Sequence, residues 1–366
     1  MNLLFLSLAF SLGIYLLFIL FFLTGLKRIP SVFSSENITW PKVSVIIAAR
    51  NEENNIPLLI QDLHQLDYPS DRLEIVIADD RSNDNTWSLI KQAEENNECI
   101  KGIKIEHLED MTPKKHALTK GIEASSGEFI LSTDADCRLP SGWVKSMVSA
   151  LDEHNGVVIG ASSVDASNSF GHYQLVDFLA LVSANAGANG WGYSWTGTGQ
   201  NIAYKRSCFN DIGGFNPVKD RVSGDDVYLV QSIGKRFGSR VNADPHSFVK
   251  TQPAHNINQF INQRIRWSSN SRFAAKVDLF FLFFLVNAFV LNTSFLLSLF
   301  QPLMHEILPM IFAVKFLGDA LVIYAGASKF KTSFPSIMFI LWSIIQPIYI
   351  PVIGLGGLIG RYSWKP

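Results

Sequence analysis

Apolar residues crowd the two ends of the chain, while its middle alternates short apolar runs with clusters of Asp, Asn, Ser and Gly. Leu3 to Leu26 is almost uninterrupted apolar sequence, long enough for a helix across a bilayer core of ~30 Å. No Lys or Arg precedes it and Lys27-Arg28 follow it, the reverse of a signal peptide with its basic start and small-residue cleavage site. It therefore reads as an uncleaved anchor. Positive charge on its carboxyl side puts the amino terminus outside and the next segment in the cytosol. Further apolar stretches predict spans at 279–300, 303–327 and 334–359. The middle one holds Lys315 and Asp319, spaced i, i+4 as a compensating pair, with a sugar or lipid path as the other reading. Pro347 and Pro351 predict a kinked or re-entrant third span. Lys329 and Lys331 fit a cytosolic turn, but Arg361 and Lys365 fit an outside terminus poorly, so topology after residue 330 stays open.

Between these ends the pattern changes period. Val43-Ser44-Val45-Ile46-Ile47-Ala48-Ala49 predicts a buried strand, stopped by Arg50-Asn51-Glu52-Glu53-Asn54-Asn55. A helix through Leu58–Leu63 follows, then a strand from Leu73 to Ala78 that ends in Asp79-Asp80. Turn residues 81–86 lead into a helix from Trp87 to Asn96, a short strand at Ile103-Lys104-Ile105 and a helix over His116 to Ser125. Strand and helix in alternation predict an α/β fold with a mostly parallel sheet. The linear division is an anchor at 1–26, a soluble domain at 27–272 and a membrane domain of three spans at 273–366.

Charge and composition narrow the chemistry. A formal charge of −1 over 366 residues gives no basic face for nucleic acid. Three cysteines without a CxxC pair argue against a disulfide framework or structural zinc and fit a reducing compartment. The richest candidate is Phe129-Ile130-Leu131-Ser132-Thr133-Asp134-Ala135-Asp136, an apolar strand running into two carboxylates. Such a strand delivers acids to the carboxyl edge of a sheet, where α/β folds place ligands. Strand alternation would point Asp134 and Asp136 the same way. Two hard oxygen ligands suit Mg²⁺ or Mn²⁺, with substrate phosphates completing the shell.

Four stretches that carry five motifs then stand in order: V-S-V-I-I-A-A-R-N-E-E-N-N-I, I-A-D-D-R-S-N-D-N-T, K-K-H-A-L-T-K-G-I-E-A-S-S-G-E-F-I-L-S-T-D-A-D and Q-R-I-R-W. From Val43 to Trp267 the chain resembles the membrane-bound family 2 glycosyltransferases, which are inverting enzymes of GT-A fold using nucleotide-activated sugars. The resemblance implies a cytosolic GT-A domain, Rossmann-like, flanked by transmembrane helices. It places Ala48, Arg50 and Glu52 among the substrate-binding residues. It assigns recognition of the base, usually uracil, to Asp79 or Asp80, for which an Asx turn is the plain alternative. Lys114 takes the place of a Lys that contacts nucleotide or diphosphate, although Pro113 stands where Gly is usual and Lys115 adjoins. Asp136 becomes the favoured metal ligand, and Asp134 contacts ribose or sugar hydroxyls or shares the metal.

Further on, Trp191 to Asn201 is rich in Gly and aromatics, fitting either the acceptor side or a bulged strand and turn. By the resemblance Asp226 is the general base on the acceptor hydroxyl and Asp225 stands where Glu is usual; a simple N-cap is the alternative. Gln263, Arg266 and Trp267 share one face if helical. Gln263 and Arg266 would then bind diphosphate oxygens and Trp267 would floor the acceptor sugar, unless the segment is simply an interfacial anchor.

The expectation is a metal-dependent hexosyltransferase of the inner (plasma) membrane, working in polysaccharide or glycolipid biosynthesis of the cell envelope. Its donor is a nucleotide-sugar, UDP-linked by expectation. Its acceptor is a lipid or lipid-linked sugar, with a growing glycan and a small membrane partner subunit as the processive alternative. Rival classes are an inactive scaffold or export subunit, and a nucleotidyltransferase, which has no need of Q-x-x-R-W beside a membrane.

Overall fold

The computed structural model describes residues 3–30, 40–107, 110–271, 273 and 278–360. Arg361 and Lys365 lie outside them. The chain forms two compact units, Ile29–Ser163 with Asn189–Gln252, and Met1–Arg28 with Val164–Ala188 and Pro253–Pro366.

Ten strands occur among the described residues: β1 Val43–Ala49, β2 Leu73–Asp80, β3 Ile100–Ile105, β4 Phe129–Asp134, β5 Cys137–Arg138, β6 Val157–Gly160, β7 Ser162–Val164, β8 Ile202–Lys205, β9 Ser239–Asn242 and β10 Val249–Thr251. Seven make the main sheet, in the order β3-β2-β1-β4-β8-β6-β9, and β5-β10-β7 make a small one. β1 runs parallel to β2 and β4, β2 to β3, and β6 to β9, while β8 is antiparallel to both its neighbours. The sheet is thus the mostly parallel α/β sheet expected from the strand–helix rhythm. The central strand β1 has Val43, Val45, Ile46 and Ile47 fully buried, because helices cover both faces and a continuous apolar run is what such a strand needs.

Gly127 lets the turn before β4 touch β1, since a Cβ there would lie 2.4 Å from the Ser44 backbone nitrogen. Arg138 holds Asp62 with two hydrogen bonds of 2.6 and 2.7 Å, fixing the two-residue strand β5.

Several boundaries differ from the sequence reading. β3 starts at Ile100, and the next helix spans Pro113–Glu123, Pro being well suited to a first helical turn. Trp191 to Asn201 forms turns and irregular backbone, not a strand. Asp136 sits in the turn after β4, not in the strand, so alternation does not decide its direction.

The other unit contains four helices long and apolar enough to cross a membrane: Leu3–Arg28, Leu279–Ser298, Leu308–Lys329 and Ser336–Ile359. The third starts later than read, because Pro302–Met304 forms a separate 3-10 turn. The fourth is one continuous helix through Pro347 and Pro351, so it is not re-entrant. Helices Ser169–Asn189 and Ile257–Ser269, inside the 27–272 stretch, group with these four apart from the terminal Asn189. Lys315 and Asp319 do pair, at 2.6 Å, and the Tyr15 hydroxyl lies 2.8 Å from Asp319 Oδ1. Phe18 packs among Phe280, Phe283 and Phe284, with centroids 5.1 to 5.9 Å apart.

Candidate active site

Strand register assembles the first part of the site. Ala48 pairs with Asp134 and Ala49 with Asp79, so the carboxyl end of β1 is flanked by an acid on each side. Asp79 is fully buried. Burial, as the larger cause, and the adjoining Asp80 carboxylate push its pKa up, against the pull of Ser82 and Lys104. Asp80, also buried, accepts from Arg81 Nε at 2.9 Å and lies 3.9 Å from Arg50 Nη1. The two loops beyond these strands are knit together: Asn51 N donates to Ser82 Oγ at 2.9 Å, and Glu52 N to Thr86 Oγ1 at 2.8 Å. Glu52 also accepts from the Asn55 amide at 2.7 Å. In the same loop Asp84 accepts from Thr86 N at 3.0 Å.

On the other side of β1 a second group converges. Lys114, from helix Pro113–Glu123, donates to Asp134 Oδ1 at 2.6 Å and lies 3.9 Å from Asp225 Oδ2. Burial works to lower its pKa, but the carboxylates of Asp134, Asp225 and Asp226 more than offset that and hold the ammonium charged. Asp225 and Asp226 open helix Asp225–Phe237, whose N-cap is Gly224 at φ 86°, a left-handed conformation that favours glycine. Asp226 accepts from Gly199 N at 3.1 Å and Val227 N at 2.8 Å, so it is held by the fold rather than acting as the N-cap. Burial and the Asp225 carboxylate push its pKa up to about 6, against Lys114 and the two amides. Lys115 points elsewhere. Buried, with its pKa lowered chiefly by that burial, it donates to the Arg221 carbonyl and lies 3.4 Å from Thr112 Oγ1.

Asp134, which ends β4, and Asp136, in the turn after it, are both partly exposed, and Asp134 is already paired with Lys114 at 2.6 Å. No group of three or more His, Cys, Asp or Glu suited to a metal occurs among the described residues. The donor set therefore suits an ion that takes one or two carboxylates and completes its shell from substrate phosphates.

Trp195 is buried and its carbonyl accepts from Gln231 at 2.7 Å, whereas Trp191 and Tyr193 are 40% and 36% exposed. Of the aromatics in that loop, only these two offer surface. Asn201 is structural, bonding the Trp143 indole at 2.8 Å and two carbonyls at 2.7 Å each.

Gln263, Arg266 and Trp267 lie on helix Ile257–Ser269, in the other unit. The same helix carries a residue that motif reading missed. Arg264 is 4% exposed and donates to buried Asp177 at 2.7 Å. Asp177 also accepts from Trp342 at 3.0 Å and Tyr349 at 3.3 Å. A second Arg two residues before the motif Arg was the available signal.

Residues 44–221 match Glycosyl transferase family 2. The probable glycosyltransferase YdaM of Bacillus subtilis (strain 168) is 27% identical over 292 residues, covering 72% of this chain and 68% of that protein. A beta-monoglucosyldiacylglycerol synthase of Synechocystis sp. is 30% identical over 114 residues, 31% of this chain and 24% of that one. A poly-beta-1,6-N-acetyl-D-glucosamine synthase of Staphylococcus aureus (strain MSSA476) is 24% identical over 242 residues, 65% of this chain and 56% of that one. This chain thus matches about a quarter and just over half of the lengths of the last two. Among solved structures, the mannosyltransferase PcManGT from Pyrobaculum calidifontis, in complex with GDP-Man and Mn²⁺, aligns with a TM-score of 0.59 at 20% identity. That alignment covers 97% of this chain and 99% of that one, and it speaks to the fold.

Proposed function

We propose, from the premise that residues 44–221 form a family 2 glycosyltransferase domain, that the chain moves a sugar from a UDP-linked donor to a lipid or lipid-linked acceptor, with inversion. The observation that carries this reading is the cluster of Asp226, Asp225, Lys114 and Asp134 at the carboxyl edge of the sheet. It combines a partly buried carboxylate with a pKa pushed up to about 6, suited to a general base near neutral pH, and an ammonium held charged, suited to a diphosphate.

In this mechanism Asp226 takes the proton of the acceptor hydroxyl as that oxygen bonds to the anomeric carbon. The bond from that carbon to the diphosphate oxygen breaks, and its electron pair leaves with the nucleoside diphosphate. Lys114 turns from Asp134 towards the diphosphate, with Asp79 or Asp80 holding the base and Ala48, Arg50 and Glu52 at the donor side. A divalent cation held by Asp136 and Asp134 would supply further charge neutralisation there. Diphosphate contacts by Gln263 and Arg266, and an acceptor floor from Trp267, rest on the Q-x-x-R-W motif and belong to the same proposal. So do a cytosolic catalytic domain and an inner (plasma) membrane location; the four apolar helices support membrane association.

The glycolipid synthase among the relatives favours single transfer, and the polysaccharide synthase favours processive polymerisation. Purified protein in native lipid extract, supplied with a panel of labelled sugar nucleotides and Mg²⁺ or Mn²⁺, separates them. Label in an organic-extractable product is expected. Label in a large aqueous product would establish the polymerase instead. If no donor is consumed, the scaffold reading replaces both.

A further inference from the structure

We infer that Arg264, anchored by Asp177, is a positioning residue that sets the side chains of Gln263 and Trp267 for ligand binding. The inference rests on the proposed glycosyl transfer and gives a task to Arg264, at a variable position of the Q-x-x-R-W motif, and to Asp177, outside it. All the groups belong to one compact unit.

Arg264 is gripped on several sides. Its Nε donates to Asp177 Oδ2 at 2.7 Å, and its Nη1 donates to Gln263 Oε1 at 2.6 Å. Its guanidinium carbon lies 4.2 Å from the Trp267 ring centroid and 4.5 Å from that of Phe260. A guanidinium has donors only, so the Gln263 atom facing it is the carbonyl oxygen. The amide NH₂ is then what Gln263 presents to a ligand oxygen. One planar group thus fixes the amide orientation of the first motif residue and stacks on the indole of the last.

Asp177 supplies the fixed point. It and Arg264 are each 4% exposed, so neither can lose its partner without leaving a buried charge. Its remaining lone pairs take Trp342 Nε1 at 3.0 Å and Tyr349 OH at 3.3 Å, both from the apolar helix Ser336–Ile359. Phe260 stacks on Tyr349 with centroids 6.1 Å apart. The Asp177 carboxylate thus adds a polar link between the motif helix and an apolar helix against which it already packs through Phe260 and Tyr349, and Arg264 passes that position on to Gln263 and Trp267.

The test compares Arg264→Lys, Arg264→Met and Trp342→Phe with the parent and Asp226→Asn, all in one lipid extract. Thermal melting and both kcat and KM for the sugar nucleotide are measured. Lysine keeps the charge for Asp177 but cannot reach Gln263 and stack at the same time. Arg264→Lys is therefore expected to melt within a few degrees of the parent while kcat/KM falls ~10- to 100-fold, the scale of a small misplacement. Recovery of both stability and kcat/KM by lysine would reduce the pair to a structural ion pair and overturn the inference. Should Arg264→Lys not fold, Trp342→Phe decides: it removes one donor to Asp177, and KM is expected to rise ~3-fold, whereas unchanged kinetics overturn the positioning role. A parent that turns over and an Asp226→Asn that does not leave the glycosyltransferase reading standing either way. A parent that consumes no donor removes that reading and this inference together.

Discussion

Replacing Asp226 by Asn changes two measurable quantities in opposite directions. The carboxyl pKa rises from its ordinary 3.8 to about 6, first through burial and then through Asp225. A base must be ionised, so kcat/KM of the parent falls with acidity through pH ~6, to about a tenth of its plateau at pH 5. Asn cannot take the proton, and activity is expected to fall by ~10²- to 10⁴-fold, with no acid limb left. Stability moves the other way. A folded pKa above the unfolded one means this group's favourable contribution is complete below pH 3.8 and lost as pH rises through about 6. At ~1.4 kcal/mol per tenfold, ionised Asp226 costs the fold up to about 3 kcal/mol at pH 8. Asn keeps one acceptor oxygen for Gly199 N and Val227 N in place of two, returning about 1 kcal/mol of that gain. The variant is therefore expected to unfold at equal or higher denaturant concentration than the parent at pH 8, with its advantage gone near pH 4. Nucleotide release against pH, with denaturant melts at both pH values, measures both. Retained turnover in the variant, or a parent acid limb near pH 4, would refute the base assignment. An inactive variant that is also unstable at pH 8 would refute the buried-charge argument.

Lys114→Met removes a cation that holds the Asp226 pKa down, so the acid limb of kcat/KM is expected to move to higher pH as the plateau drops at least tenfold; a limb that stays put separates Lys114 from the base. Chelation with EDTA is expected to abolish transfer, Mg²⁺ or Mn²⁺ to restore it, and Asp136→Asn to raise the metal concentration required; transfer unaffected by EDTA would remove the metal from the scheme. Lys315→Met leaves the partly buried Asp319 with the Tyr15 hydroxyl but without its 2.6 Å ion-pair partner and is expected to lower stability by ~3 kcal/mol, while Lys315→Met with Asp319→Leu recovers most of it. Loss of turnover in a stable double variant would instead support the substrate-path reading of that pair.

The legible parts of this chain are those where one interaction dominates locally. β1, β2 and β4 announce themselves as β-branched runs because both their faces are buried, and the acids at their ends follow by adjacency. Boundaries slip where the signal is weak. The short strands β6 to β10, of three or four residues, are too brief to show a period. Asp136 left its strand because Ala135 and Asp136 turn the chain into β5, which Asp62 fixes from 76 residues away. The site was legible only as separate motifs. Nothing in the sequence says that Lys114 reaches Asp134 and Asp225, or that Gly199 N reaches Asp226 across 27 residues.

Arg264 shows the limit most clearly. On a helix surface an Arg inside Q-R-I-R-W is a solvated charge, and the motif itself gives it no task. Its burial becomes possible because a carboxylate 87 residues earlier meets it, and that carboxylate is itself satisfied by an indole 165 residues further on. A charge can be buried only as part of such a set. A buried Arg within such a motif therefore implies partners at unknown distances in sequence, and where those partners lie on a helix long and apolar enough to cross a membrane, the motif is tied to that helix.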